Sequence, residues 1–304
     1  MIAIGWSDMS PTAPPSRFRP AILWILALLL MATTVVYQRR TGPTHPLRGV
    51  VIVGGSSIAY KLIRSEETVR DARVALLDPG VPATLVWRRF PTQDPWTRQT
   101  MSPETRDQKG RLEVAGYLPK QPPAGKLEYT VELGDPGAIQ RIPATDPIVL
   151  RYKGPVSTPL LIAHLSMMFL AVLVGLRAGL GAIFERLAPR RLMWVTLGCM
   201  SLGGLILGPF VQKAAFGHYW TGFPWGYDLT DNKTLLMWGV WVLAALLAGP
   251  RPHSREGWSR AAVLAATLAM AIVYLIPHSM RGSQLDYSKV KAGGDAKDAV
   301  GTGR

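Results

Sequence analysis

His164, His218 and His278 are the side chains whose type and surroundings best suit ligand chemistry. Met167 and Met168 place thioethers beside the first, and Met280 lies beside the last. Imidazole with thioether suits copper, and paired imidazoles suit haem iron, so a membrane redox or metal-handling centre is the chemistry this set would support. No HxH, HxxxH or HExxH spacing puts two of these histidines on one helix face, so only the tertiary fold could bring them together.

A second set lies between Phe216 and Thr234, in FGHYWTGFPWGYDLTDNKT. Asp228, Asp231 and Asn232 are its oxygen donors, and Trp220, Trp225 and Tyr227 carry rings with polar tips. Such rings favour the headgroup layer of a bilayer, whereas carboxylates are costly in hydrocarbon. Thr230, Asp231 or Asn232 is placed to cap the amides of a following helix. Asp228 is a further charge that Lys233 is placed to pair. The set lacks the longer regular oxygen pattern of a calcium loop. Gly217, Gly222, Pro224 and Gly226 predict a tight hairpin loop instead of helix. His218, Trp220, Trp225, Tyr227, Asp228, Asp231 and Asn232 are therefore candidates for a ligand site or an interface, and no residue is assigned a catalytic role. GxSxG, P-loop and GxGxxG patterns are absent, which removes the common hydrolase and nucleotide chemistries.

The elements that must position these residues are apolar runs: Pro20 to Tyr37, Pro159 to Gly175, Leu192 to Val211, Thr234 to Gly249 and Ala261 to Ile276. A helix crosses about 30 Å of hydrocarbon with about 20 residues, so five spans are expected, the last two short. The net charge of +14 would suggest nucleic acid in a soluble chain, but here the basic residues are spread along the chain and many flank apolar runs, so no nucleic-acid partner is expected. Arg17 and Arg19, then Arg177, Arg186, Arg190 and Arg191, then Arg251, Arg255 and Arg260 fall on one side of the spans. The positive-inside rule makes that side cytoplasmic, although Arg39, Arg40 and Arg48 oppose it at the first span. The N-terminus is then inside, and the 41–155 segment, the aromatic loop and the C-terminus are outside. His45, His164, His218 and His278 come out near the external side, and His253 on the cytoplasmic side.

The first run lacks a small-x-small cleavage pattern and reads as an uncleaved anchor. Cys199 is the single cysteine, so no intrachain disulfide or CxxC chemistry is possible. Residues 41–155 show short alternating segments between Pro, Gly and Asp, the pattern of an all-β, immunoglobulin-like sandwich. The expected strands are Ile58 to Arg64, Val74 to Leu77, Thr84 to Phe90, Arg111 to Leu118, Lys126 to Leu133 and Ile148 to Tyr152. Lys126 to Leu133 alternates strictly, which predicts one buried face and one wet face. Ser102 to Lys109 reads as loop. The organisation expected is a disordered cytoplasmic tail (1–19), an anchor (20–38), the β domain (41–155), a four-helix transmembrane domain (156–278) with the external loop at 213–233, and a disordered external tail (279–304).

The string WTGFPWGYDLTDNKT after GGLILGPFVQK resembles a group of uncharacterised bacterial multi-pass membrane proteins with an N-terminal anchor and an extracytoplasmic β domain. The resemblance covers mainly residues 155–250. It implies a bacterial inner-membrane setting and carries no activity and no functional residue. The expected function is that of a non-catalytic accessory, assembly or docking subunit in the lipid bilayer, with a membrane or periplasmic protein partner and no cofactor. The alternative is a redox or metal protein holding haem or copper through His164, His218 and His278.

Overall fold

A computed structural model describes residues 18–106, 110–252, 255–277 and 282–301. The chain opens with helix α1 (Phe18–Thr41) and continues into eleven strands: β1 (Leu47–Val53), β2 (Ser56–Leu62), β3 (Ser65–Glu67), β4 (Ala72–Leu77), β5 (Ala83–Arg89), β6 (Thr97–Thr100), β7 (Ser102–Arg106), β8 (Leu112–Leu118), β9 (Lys126–Leu133), β10 (Gln140–Ile142) and β11 (Ile148–Lys153). Helices α2 (Thr158–Phe184), α3 (Arg190–Met200), α4 (Gly208–Phe216), α5 (Leu229–Ala248) and α6 (Glu256–Leu275) follow, with a π-helical segment, Ser201–Leu207, joining α3 to α4. Strand β12 (Gln284–Leu285), helix α7 (Tyr287–Lys291) and strand β13 (Val300–Gly301) complete it.

Strands β1 to β11 form two sheets over one core, in the orders β1-β2-β4-β8-β7 and β3-β11-β9-β5-β6, with β10 added to β9, while β12 and β13 pair separately. Val74, Leu76 and Leu118 from one sheet pack with Leu85, Leu127 and Leu150 from the other. All six expected strands occur. The loop expected from Ser102 contains β7, and the strand order, with β3 parallel to β11, is not clearly immunoglobulin-like.

The wet face expected of β9 is also buried. Glu128, Thr130 and Glu132 are each less than a tenth exposed. Strand β9 is central, between β5 and β11, and basic side chains cover its outer face: Arg88 pairs with Glu128, while Arg98 and Arg141 both pair with Glu132. Alternation reports the inner face correctly but cannot show that neighbouring strands supply cations to the outer one.

Among the described residues, four helical stretches are long and apolar enough to cross a membrane: Pro20–Thr41, Thr158–Phe184, Arg190–Phe216 and Glu256–Leu275. The fifth expected span, α5, falls short because Asp231, Asn232 and Lys233 occupy its first turn. It nevertheless packs along α6 and α3. Helices α2 and α6 approach closely where α2 carries glycine: a Cβ on Gly175 would lie 2.6 Å from Met270 Cε, and one on Gly179 would strike the side chain of Thr267. Thr267 Oγ1 also donates to the Gly175 carbonyl at 3.1 Å. The small residues thus let a side-chain-to-backbone hydrogen bond join two helices, as small faces do in apolar surroundings.

At the end of the bundle away from the sheets, Arg190 pairs with Glu256 at 2.7 Å and donates to the Ala248 carbonyl at 3.1 Å. The near end gathers the end of α1, the start of α2, the end of α4, the start of α5 and the end of α6, as an alternating up-and-down path requires. Gln38 Nε2 there donates to the Ile276 carbonyl at 3.4 Å.

The C-terminal segment differs from the expected coreless tail. Within 282–301, Leu285, Tyr287 and Ala299 are buried together. The segment is also stitched to the sheets: Leu285 N donates to the Ala124 carbonyl at 3.1 Å, and the Lys126 amide donates to Tyr287 Oη at 3.0 Å. Glycine and charge in this stretch suggest disorder, but a few apolar residues suffice when a preformed β surface supplies the rest of the core. The expected N-terminal tail lies outside the described residues except for Phe18 and Arg19, which open α1.

Candidate functional site

The polar centre of the molecule lies where β11 runs into the helices. Gly154, just past β11, donates its amide to the Ala215 carbonyl at 2.8 Å, and an added Cβ there would collide with the Ala214 carbonyl oxygen. This contact brings Arg151 over the ring of Phe216, 4.2 Å from its centroid. Helix α4 ends one residue later at Gly217, whose φ of 92° is readily adopted only by glycine. The chain then folds back as the aromatic loop.

That loop is fastened by the first turn of α5. Asp228 is the N-cap: its Oδ1 accepts from the Thr230 amide at 2.8 Å. Asp231 accepts from the Thr221 amide at 2.6 Å and from Gln212 Nε2 at 3.0 Å, and Asn232 Oδ1 accepts from the Phe223 amide at 2.6 Å. Gly222 fits because a Cβ would lie 2.5 Å from the Asp231 Cβ. Asp231 therefore satisfies a buried loop amide, Asn232 ties a second one at the surface, and Asp228 caps the helix.

The remaining oxygen of Asp228 turns to the C-terminal segment. It accepts from the Ser283 amide at 2.9 Å and from Ser283 Oγ at 3.3 Å. The Ser283 carbonyl in turn accepts from Arg151 Nη2 at 3.1 Å. Arg151, Asp228, Asp231 and Ser283 are each at least nine-tenths buried. Burial pushes the Arg151 guanidinium down to about 10, with the Asp228 charge opposing the shift, so it stays protonated at neutral pH. Next to it on β9, burial first and then the Arg151 charge push the Lys126 amine down to about 8. Lys126 Nζ donates to Gln284 Oε1 at 2.9 Å. Two facing cations are thus covered by neutral acceptors of the C-terminal segment.

His164 reaches the same region from α2. Its Nδ1 lies 2.9 Å from the carbonyl oxygen of Gly203. A carbonyl only accepts, so Nδ1 carries the hydrogen, which in the neutral ring leaves Nε2 as an acceptor. The same carbonyl also accepts from the Gly208 amide, five residues on, because the helix is π-wound here. Pro209 provides the reason, since it has no N–H and its ring crowds the carbonyl four residues earlier. Arg151, His164, Gln212, Asp228, Thr230 and Asp231, with Gly204, Gly208 and Gly282, line a cavity of about 130 Å³.

The predicted residues therefore divide. His164, Asp228 and Asp231 line one cavity, and Asn232 ties the loop beside it. His218 is elsewhere, with Nε2 2.9 Å from the Lys297 carbonyl oxygen, and His278 lies outside the described residues, as do Met280 and His253. No group of three His, Cys, Asp or Glu among the described residues is arranged to hold a metal ion. Met167 and Met168 pack on glycine instead: a Cβ on Gly203 would lie 2.8 Å from Met167 Cβ and 3.1 Å from Met168 Sδ. Trp220, half-buried, donates to the Phe223 carbonyl of its own loop at 3.0 Å, whereas Trp225 and Tyr227 stand out from the surface. Lys233 does not pair with Asp228. Its ammonium is directed to the Ile276 carbonyl, linking α5 to the end of α6.

Sequence reasoning missed Arg151, Gln212, Thr221 and Ser283. Arg151 sits on a strand whose alternate residues form the core, so it reads as a solvated outer-face residue. Ser283 lies in a stretch with no periodicity. The one available signal was an arginine on the last strand, seven residues before a membrane-type helix begins. Compared with protein-family models, curated proteins and solved structures, the chain matches none of them.

Proposed function

We propose that this chain is a non-catalytic multi-pass membrane protein, an accessory or assembly subunit. In this reading its sheets, aromatic loop and C-terminal segment act as one external docking unit for a membrane or periplasmic protein partner. The observation that carries the reading is how the loop spends its groups. Asp228, Asp231 and Asn232 are committed to internal amides, whereas Phe223, Trp225 and Tyr227 are 67%, 80% and 74% exposed. Large aromatics held out on a loop pinned at Thr221 and Phe223 by the first turn of α5 suit recognition or bilayer contact better than catalysis.

The charge distribution supports a cytoplasmic N-terminus and external sheets in a bacterial inner membrane, because both short basic connections lie at the bundle end away from the sheets. Helix α5 would be the fifth span despite its polar first turn, since that turn is enclosed by loop and C-terminal segment rather than lipid. The two sheets would serve as an immunoglobulin-like binding module between the first and second spans.

The test is purification of the full chain from native membranes in mild detergent, beside a variant with Phe223, Trp225 and Tyr227 all changed to Ala. The reading expects a defined protein partner held by the first and lost by the second, with no haem absorption and no stoichiometric metal. A haem band, one metal per chain, or a partner that ignores the substitutions would overturn it.

A further inference from the structure

Strand β1 is an edge of its sheet, paired on one side only, with β2. The two are joined by Gly54 and Gly55, whose φ values of 56° and 79° make a two-residue turn of the primed kind. Their register runs without a shift from Val53 opposite Ser56 to Leu47 opposite Leu62. Such a turn is closed by a hydrogen bond between the residues that flank it, and bonded pairs alternate along an antiparallel ladder. Val53, Val51, Gly49 and Leu47 therefore spend their amides and carbonyls on β2. The N–H and C=O groups of Arg48, Val50 and Ile52 point the other way, and no strand takes them among the described residues.

The other outer strands are blunted. Strand β7 carries Pro103 and a register shift before Arg106, β3 has only three residues, two of them Glu, and β6 is the polar, exposed run Thr97–Thr100. Proline, irregular register, shortness and charge are the usual means by which an edge is kept from pairing. Strand β1 has seven residues in regular register, with Val50 and Ile52 exposed on its outer face and Leu47 and Val53 half-buried at the rim of the core. Its one charge, Arg48, stands opposite Lys61 on β2; both are exposed, and neither has an ion-pair partner among the described residues. Like charges directly opposite on a sheet repel, and a carboxylate on the free side of Arg48 would relieve them. A second copy of this chain brings none there: antiparallel pairing centred on Val50 sets Arg48 beside Ile52, and LRGVVIV holds no acid. Lipid tails would cover Val50 and Ile52 yet leave the peptide groups unpaired.

We propose that β1 takes up an extended segment of another protein as an added antiparallel strand, with apolar residues beside Ile52 and Val50 and an acidic residue beside Arg48. An antiparallel segment meets Ile52 first, so from its N-terminus it reads apolar, any, apolar, any, acidic. The free N–H and C=O groups of Arg48, Val50 and Ile52 hold its backbone, and the side chains select its sequence. This inference rests on the docking reading of the sheets and names the segment they receive, through residues other than the aromatic loop.

The test is binding of a fluorescent synthetic peptide, Thr-Val-Thr-Val-Thr-Asp-Thr, to the full chain in nanodiscs, read by anisotropy. Saturable binding is expected, weakened at least about tenfold when the valine and aspartate amides, which face β1, are N-methylated. Val50→Pro removes a free amide that the protein does not use internally, so the chain should fold as before and lose the peptide to a similar degree. Arg48→Glu should reverse the preference for the aspartate peptide over one with lysine in its place. If Val50→Pro fails to fold, the N-methylated peptide still decides, because it leaves the protein unchanged. No saturable binding, binding indifferent to N-methylation, or a wild-type dimer that Val50→Pro dissolves would overturn the proposal, the last by giving the edge to a second copy. No native partner is needed, so a failure here and an aromatic loop that captures nothing are separate results.

Discussion

Arg151 on the last strand of the sheets and Asp228 at the start of α5 are joined through one residue. The Ser283 carbonyl accepts from Arg151 Nη2 at 3.1 Å, and the Ser283 amide donates to Asp228 Oδ2 at 2.9 Å. The C-terminal segment is thereby a structural part of the junction, and removing any of the three residues leaves a buried polar group unpaired.

Asp228→Ala removes the N-cap of α5 and strands the Ser283 amide beside a buried guanidinium. A loss of about 1–3 kcal/mol is expected, read as a lower melting temperature of the full chain in detergent. Asp228→Asn retains a capping oxygen and should lose clearly less. Equal losses would mean that the charge matters and the cap does not.

The α2–α6 contact gives a paired comparison. Gly179→Ala places a methyl into Thr267 and should destabilise by about 1–3 kcal/mol, whereas Gly198→Ala in α3 meets nothing within 4 Å. The second change should be neutral or stabilising, since alanine is the better helix former. Melting of both variants in the same detergent checks the difference, and matching behaviour would remove the close approach from the account.

Lys126 sets a pH dependence whose sign follows from its depressed amine. The folded group releases its proton near 8, the unfolded one near 10.5. Between those values the unfolded state binds more protons, so the penalty of burying the charge is fully present below about 8 and is relieved as pH rises toward 10.5. Lys126→Met should therefore melt above wild type at pH 7, with the gap closing by pH 10. The difference between the two proteins is the quantity to follow, because other titrations cancel in it.

Much of the architecture was legible because burial leaves a period. The six alternating segments appear as strands, and the long apolar runs appear as helices, since both depend on local pattern. The junction was not legible, because it depends on residues far apart in the chain. Arg151 and Ser283 are 132 positions apart, and neither has a pattern that announces burial. The sequence offers Thr230, Asp231 or Asn232 as the cap, but Asp228 holds that place and Asp231 instead gathers the loop through Thr221 and Gln212. Capping preferences identify the right cluster of residues, while the backbone decides which member takes the cap.

Orientation can be read with single cysteines in a Cys199→Ser background. Tyr227→Cys, 74% exposed in wild type, should react with an impermeant thiol reagent added outside intact cells. Arg186→Cys should react only after the membrane is opened. The reverse pattern would invert the topology.

The central claim is that the exposed aromatic loop meets a protein partner, and photo-crosslinking from position 225 in native membranes tests it most directly. Trp225 is 80% exposed, so replacing it with a photoreactive phenylalanine analogue should leave the melting temperature within the small range of surface substitutions. The account predicts one discrete protein adduct, lost when Phe223 and Tyr227 are also changed to Ala. Adducts to lipid alone would contradict it, and would leave the loop as a bilayer anchor.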